Sequence, residues 1–107
     1  MDKIFAISSA GKTEKSFLDL RFGKCENIVF YNANKDTYSI IENPYKNSEQ
    51  SGIKLVKFLQ NENVSTIITG EVGPTVSNLL EKEKLQLVLL DEERIKIEEI
   101  ITRIRRK

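Results

Sequence analysis

Apolar residues follow two different patterns along the chain. Up to residue 45 they form short runs rich in β-branched and aromatic side chains, separated by polar segments, which is typical of strands and turns. From residue 51 onward, apolar positions at helical spacing alternate with short, nearly continuous apolar runs. The pattern therefore predicts three strands, followed in order by a helix, a strand, a helix, a strand and a helix.

Five segments are predicted to form strands, and two of them form a hairpin. The turn-forming sequence ANKD separates NIVFYN from TYSIIEN, so these two strands are expected to pair antiparallel. Pro44 ends the second of them because proline cannot donate a hydrogen bond to a strand ladder. The predicted strands cover residues 3–7, 27–32, 37–43, 64–70 and 85–90.

Three segments are predicted to form amphipathic helices. Pro74 suits the first turn of the second helix. The third helix has the clearest pattern, because Ile97, Ile100, Ile101 and Ile104 recur at helical spacing. The first two helices cover 51–63 and 73–84. A hairpin followed by alternating helices and strands predicts an α/β fold with a mixed sheet flanked by helices, in a single domain over residues 1–107.

The composition places the chain among ordinary globular proteins. It has 107 residues, of which 39% are hydrophobic and 31% are charged. No apolar run approaches the roughly 18 residues that a membrane-spanning helix needs. The apolar stretch at the N-terminus is too short for a secretory signal, and the single cysteine cannot form an intrachain disulfide. We therefore expect a cytoplasmic protein with no membrane partner.

Charge and histidine content exclude several functions. The net charge is +1, and a basic excess occurs only in the tail that ends RIRRK, where cations suit a helix C-terminus. A nucleic-acid partner is not expected, since that would require a basic face over much of the protein. The chain has no histidine, which excludes a Ser-His-Asp triad and imidazole metal ligands. We therefore expect a protein that is not an enzyme.

Two loops are expected to meet where a ligand could bind. One runs from Ser8 and Ser9 to Phe22, after the first strand, and the other is the sequence GEVGP, from Gly70 to Pro74. In open α/β sheets, ligands bind beyond the carboxyl ends of adjacent strands. Glycines permit unusual backbone angles and close approach, and the N–H groups that open the next helix attract anions. The alternative is a simple tight turn.

Cys25 has two interpretations. Arg21 and Lys24 lie close to it in sequence and would lower the pKa of its thiol, favouring the thiolate that ligates iron. A lone cysteine at the start of a strand is, however, usually a small buried hydrophobe. The residues alone leave both interpretations open.

Several motifs together resemble a known family. FAISSAGK, RFGKCENIVFYN, IIENP, SGIKLVKFL and IITGEVGPTVSNLLEKEKLQLVLL occur in one order across almost the whole chain. This order resembles the dinitrogenase iron–molybdenum cofactor biosynthesis family, whose members are similar to nitrogenase accessory factors. The resemblance implies a ribonuclease-H-like, three-layer fold with a five-stranded mixed sheet, in the order β-β-β-α-β-α-β-α, and three helices.

The resemblance also implies a non-catalytic role in binding or carrying an iron–sulfur or iron–molybdenum cluster, or another anionic ligand. It implies partners among cluster-assembly or other cytoplasmic proteins, and we expect a monomer or a weak homodimer. The family's phenylalanine–glycine motif falls on Phe22 and Gly23, and some members have cysteine at the position of Cys25, the candidate metal ligand. The cofactor-binding residues expected on this basis are Ser8, Ser9, Arg21, Phe22, Gly23, Cys25, Gly70, Val72 and Gly73.

Two departures from the family pattern support an alternative function. Members often carry histidine just before the phenylalanine–glycine pair, where this chain has Arg21. Others carry histidine near the start of the first helix, where this chain reads KNSEQSG. The alternative is a protein-interaction or regulatory domain that has kept the fold and lost cofactor binding.

Overall fold

The computed structural model describes residues 2–92 and 94–106. Five strands and three helices follow the order expected from the sequence. The strands are β1 (Ile4–Ser9), β2 (Asn27–Asn32), β3 (Thr37–Glu42), β4 (Thr66–Thr69) and β5 (Gln86–Leu89). The helices are α1 (Ser51–Asn61), α2 (Pro74–Lys82) and α3 (Ile97–Arg105).

The strands form one mixed sheet in the order β3-β2-β1-β4-β5. The hairpin of β2 and β3 is antiparallel, and β2 pairs antiparallel with β1. The β1–β4 and β4–β5 pairs are parallel, as helical crossovers require. The loops that follow β1 and β4 therefore leave the same end of two neighbouring strands, which confirms the predicted adjacency.

Helices cover both faces of the sheet. Helix α3 packs on one face, where its isoleucine stripe meets Phe5, Ile7 and Val29. Helices α1 and α2 pack on the other face, where Leu55 and Leu80 belong to a second apolar cluster. Strand β4 is buried along its whole length, as expected for a central parallel strand. The predicted α/β architecture is therefore confirmed.

The predicted boundaries differ from the observed ones by a few residues. Helix α1 ends at Asn61, because Asn63 adopts a left-handed conformation with φ of 62° and the Val64 N–H donates to the Leu59 carbonyl. Lys107 of the basic tail lies outside the described residues. In the described ranges, no helix is long and apolar enough to cross a membrane.

Candidate functional site

The loop after β1 meets the turn after β4 through backbone contacts. The Glu71 N–H donates to the Leu20 carbonyl at 2.8 Å, and Arg21 forms an isolated parallel bridge with Glu71. Gly70 lies so close to this loop that an added Cβ would be 2.6 Å from the Cα of Leu20. Glycine at position 70 is therefore required for close approach, as predicted.

These two loops and two helices enclose a cleft of about 410 Å³ at the carboxyl ends of β1 and β4. Its walls combine backbone from glycine-containing turns with one arginine, one lysine and one glutamate. The lining residues are Arg21, Phe22, Gly23, Lys24, Ser51, Gly52, Glu71, Val72, Gly73 and Val76. Five of the nine residues predicted from the sequence therefore border one cavity.

The first turns of α1 and α2 both border this cleft. Gln50 and Gly73 precede the two helices, and neither provides a side-chain cap. In the described part of the chain, the N–H groups of Gly52 and Val76 are not paired with any acceptor. Because the N-terminus of a helix carries a partial positive charge, two such ends create a positive potential in the cleft.

Helix α3 provides a contrast to the two helices at the cleft. Its N-terminus is satisfied by the long loop after β1, because the Ile97 N–H donates to the Ser16 carbonyl and the Glu98 N–H donates to the Glu14 carbonyl, both at 2.9 Å. The chain's own carbonyl groups thus accept hydrogen bonds from the first N–H groups of α3, whereas N–H groups in the first turns of α1 and α2 remain available at the cleft.

Glycines allow the elements around the cleft to approach closely. A Cβ on Gly23 would be 2.6 Å from the backbone nitrogen of Gly52. A Cβ on Gly52 would be 2.6 Å from Cγ2 of Val76 on α2. By contrast, Gly73 has open space at its Cβ position and no glycine has a positive φ, so the prediction of unusual backbone angles at Gly70 and Gly73 is wrong.

Arg21 is held at the mouth of the cleft by a buried carboxylate. Asp19, which is 6% exposed, accepts hydrogen bonds from Nε and Nη2 of Arg21 and from the backbone N–H groups of Arg21 and Glu26. The hydrogen bond to Asp19 and the charge of that carboxylate raise the pKa of Arg21. The guanidinium is half exposed, so its outer edge remains available to a ligand.

Two further charges border the cleft. Lys24 is exposed, and its Nζ donates to the Ser48 carbonyl at 2.9 Å. Glu71 is exposed and carries the opposite charge. The electrostatic character of the cleft thus depends on two cationic side chains, one anionic side chain and two helix N-termini.

Cys25 lies in the core and does not border the cleft. Its side chain is 0% exposed and packs in the apolar cluster that contains Phe22, Ile28 and Leu55. The Asn43 amide Nδ2 donates to the Cys25 carbonyl at 3.0 Å and lies 3.6 Å from Sγ. Cys25 therefore occupies the position of a small buried hydrophobe.

Burial raises the pKa of the Cys25 thiol to about 12, and the negative charge of Asp19 acts in the same direction. The hydrogen bond from Asn43 and the charge of Arg21 lower this pKa, but they do not offset burial. Of the two interpretations of Cys25, the pKa therefore favours the small buried hydrophobe, because desolvation outweighs the effect of the nearby Arg21.

The donor atoms around Cys25 do not fit a thiolate-bound metal. A thiol with a pKa near 12 stays protonated at neutral pH, whereas metals bind the thiolate. Among the described residues, no group of three or more histidine, cysteine, aspartate or glutamate side chains could hold a metal ion. The metal assignment of Cys25 has no support in this geometry.

Ser8 and Ser9 stabilise the loop and do not line the cleft. Ser8 Oγ donates to the Asp19 carbonyl at 2.6 Å and lies 2.7 Å from Thr69 Oγ1. Ser9 Oγ donates to the Gly11 carbonyl at 2.8 Å. Both side chains are buried, so they support the chain that carries Arg21.

The structure adds cleft residues that were not among the predicted site residues. Ser51 and Gly52 open α1, and Val76 belongs to the first turn of α2. The sequence carries one sign of this arrangement, Gly52 in the first turn of the predicted first helix. Glycine is unfavourable inside helices, so its presence there indicates close packing against another segment.

Comparisons with known proteins agree with the fold. The chain matches the sequence profile of the family described as dinitrogenase iron-molybdenum cofactor over residues 3–107. The apo form of the orange protein from Desulfovibrio gigas superimposes with a TM-score of 0.84 and 21% identity, covering 96% of this chain and 87% of that one. A Thermotoga protein of the DUF35 family superimposes with a TM-score of 0.78 and 23% sequence identity, covering 94% of this chain and 84% of that one. No curated protein matches the chain in sequence.

Proposed function

Because the chain belongs to the dinitrogenase iron-molybdenum cofactor family, we propose that it is a small, non-catalytic accessory protein that holds an anionic ligand in the cleft. The ligand class is a metal–sulfur cluster of the iron–sulfur or iron–molybdenum type. The proposal includes a single ribonuclease-H-like domain over residues 1–107, a cytoplasmic location and partners among cluster-assembly proteins.

One observation carries the proposal: the first turns of α1 and α2 open side by side into the cleft without side-chain caps. Backbone N–H groups at helix N-termini bind anions because they donate hydrogen bonds along the positive end of the helix dipole. A Cβ on Gly23 would be 2.6 Å from the Gly52 nitrogen, so glycine at position 23 allows the loop after β1 to pack against the first turn of α1 at the cleft.

The side chains of the cleft suit a ligand that is negatively charged and only partly polar. Arg21 offers the outer edge of its guanidinium, which supports charge-assisted hydrogen bonds. Phe22, Val72 and Val76 give the walls an apolar component, which suits sulfide ligands that hydrogen-bond weakly. Glu71 opposes an anion and limits the affinity.

The same geometry favours a ligand that is carried, not a permanent cofactor. Cys25 is protonated and buried, so the cleft offers amide and guanidinium donors in place of a thiolate bond. Binding through hydrogen bonds and charge is readily reversible, as a carrier requires.

Anaerobic incubation with ferrous iron, sulfide and molybdate, followed by desalting and metal analysis, tests the proposal. We expect the unsubstituted chain and Cys25→Ser to retain equal amounts of metal, and Arg21→Gln to retain several-fold less. Lys54→Gln is the matched control, because Lys54 is an exposed cation of α1 that does not line the cleft. Loss of metal in Cys25→Ser alone would contradict the cleft assignment.

The second candidate is a protein-interaction or regulatory domain of the same fold that has lost cofactor binding. The absence of histidine and the burial of Cys25 favour it, because the described residues that line the cleft include neither an imidazole nor a thiolate to bond iron. Failure of every variant, including the unsubstituted chain, to retain metal would support this candidate.

A further inference from the structure

Strand β3 ends one side of the sheet and lacks the usual protection of an edge strand. It pairs with β2 along its whole length in unbroken register, so no bulge interrupts its outer edge. Its sequence, Thr-Tyr-Ser-Ile-Ile-Glu, contains neither lysine nor proline. Natural proteins protect exposed edges with such residues or with bulges, because an open edge pairs with other chains.

The helices on both faces of the sheet stop short of β3. On the face that carries α3, a groove of about 450 Å³ separates α3 from Tyr38. On the opposite face, a groove of about 390 Å³ runs beside Phe30 and Ile41. Tyr38 is 44% exposed, although the tyrosine beside it on β2, Tyr31, is buried.

The two grooves differ in charge. The groove beside α3 is lined by Glu14, Glu98 and Glu99, against one guanidinium, that of Arg105. Arg105 is paired with Asp36 at 2.8 Å and Glu98 is paired with Lys15 at 3.0 Å, so the negative character of the groove rests on Glu14 and Glu99. We call this the acidic groove. The groove on the other face includes Ile4, Phe30 and Ile41, and we call it the apolar groove.

We propose that β3 is a docking edge for an extended segment of a partner protein that carries basic and apolar side chains at alternate positions. Successive side chains of a strand point to opposite faces, so such a segment would place its basic residues beside the acidic groove and its apolar residues beside the apolar groove. Backbone hydrogen bonds to the free edge of β3 supply affinity, and the two grooves supply specificity.

A second copy of this chain fits the edge less well. A β3 strand contains no basic residue, so self-pairing would leave the acidic groove without a cation. The chemistry of the grooves therefore selects a different, basic strand.

The acidic groove lies beside α3, whereas the cleft lies between the loops at the carboxyl ends of β1 and β4, and the two share no lining residue. The docking proposal is accordingly independent of the anion-binding proposal, and a failure of either one leaves the other standing.

NMR titration of the whole chain with the capped peptide Lys-Val-Lys-Val-Lys-Val tests the proposal. We expect chemical-shift changes in the amides of residues 37–42, with residues 86–89 of the opposite edge unchanged, and no binding of the Glu-Val-Glu-Val-Glu-Val control. Affinity should fall as salt is raised. Glu99→Gln should weaken binding about two- to fivefold, whereas Glu83→Gln at the end of α2, outside both grooves, should leave it unchanged.

Three outcomes would overturn the proposal. Equal binding of the lysine and glutamate peptides would show that charge does not select the partner. Shift changes that leave residues 37–42 and the residues lining the two grooves unaffected would place the binding surface elsewhere. A second copy would be the occupant if sedimentation showed a concentration-dependent dimer and the amide shifts of residues 37–42 changed with protein concentration in the absence of peptide.

Discussion

Gly23 lies directly against the backbone of Gly52. A Cβ built on Gly23 would be 2.6 Å from the nitrogen of Gly52 and 2.8 Å from its Cα. Side-chain carbons essentially never approach backbone atoms so closely, so one of the two segments would have to move. The contact fixes the loop after β1 against the first turn of α1, and both border the cleft.

Gly23→Ala should therefore lower the free energy of unfolding by about 1–3 kcal/mol, because the added methyl meets rigid backbone and not a flexible side chain. It should also weaken metal retention, since the two segments that would have to move apart both border the cleft. Urea denaturation and the anaerobic reconstitution measure the two effects.

Gly73→Ala is the matched control for the substitution at Gly23. Gly73 also borders the cleft, but the position of its Cβ is open space and its φ of −75° suits any residue. We expect a change in stability within about 1 kcal/mol, because the reduced entropy of the unfolded chain and the poorer N-cap act in opposite directions. Equal destabilisation by the two substitutions would contradict the role given to the Gly23–Gly52 contact.

Asp19 should contribute much more to stability than Arg21, although the two form one ion pair. In the native chain, the two carboxylate oxygens of Asp19 accept from the backbone N–H groups of Arg21 and Glu26. Asp19→Asn replaces one of these buried acceptors by an NH₂ donor, which should lower the free energy of unfolding by about 1–3 kcal/mol. Arg21→Gln removes only the half-exposed partner and should cost at most about 1 kcal/mol. Urea denaturation of both variants, with Asp91→Asn as an exposed control, checks the difference. Equal costs would show that the backbone contacts of Asp19 contribute little.

Most of the fold could be predicted from local sequence pattern. The hairpin was located by ANKD, and the bounds of β2 are those predicted, because strand ends there coincide with turn-forming residues. Pro74 marked the start of α2. The ends of α1 and β4 were placed less well, since Asn63 and the hydrogen bond from Val64 to Leu59 depend on backbone geometry that hydrophobic periodicity does not encode.

The candidate site could be predicted only in part, because it depends on tertiary distances. Strand order allowed the prediction that the loops carrying Arg21 and Gly70 meet. Sequence proximity to Arg21 and Lys24 suggested an activated Cys25, but proximity along the chain does not reveal burial, and burial dominates the pKa of this thiol. The roles of Ser51 and Gly52 arise where α1 and α2 come together in the folded chain.

The Cys25 thiol should be unreactive in the native protein. Because its pKa is raised to about 12 and its side chain is fully buried, a thiol reagent such as DTNB at pH 8 should modify it only through unfolding, at a rate that rises with urea. Rapid modification of the native protein without denaturant would show that the thiol is accessible.

The same thiol should make stability depend on pH in the alkaline range. Its pKa is raised in the folded chain from an ordinary value of 9.0, so its contribution is fully present below pH 9 and is lost as the pH rises towards 12. The slope from one such group is at most about 1.4 kcal/mol per pH unit. Burial also raises the pKa of Tyr31, so the measurement is the difference in unfolding free energy between the unsubstituted chain and Cys25→Ala. A difference that stays constant above pH 9 would contradict the prediction.

Glu71→Gln should increase the retention of an anionic ligand, which distinguishes charge recognition in the cleft from mere shape. Glu71 is exposed beside Arg21, so its removal takes away a repulsive charge without disturbing a buried contact. We expect about two- to fivefold tighter binding at low ionic strength and a smaller gain at high salt, where exposed charges are screened. Metal retention after anaerobic reconstitution measures the effect, with Glu81→Gln as the control, because Glu81 is an exposed acid of α2 that does not line the cleft. A decrease in retention would mean that Glu71 binds the ligand itself, and the cleft would then select a cation.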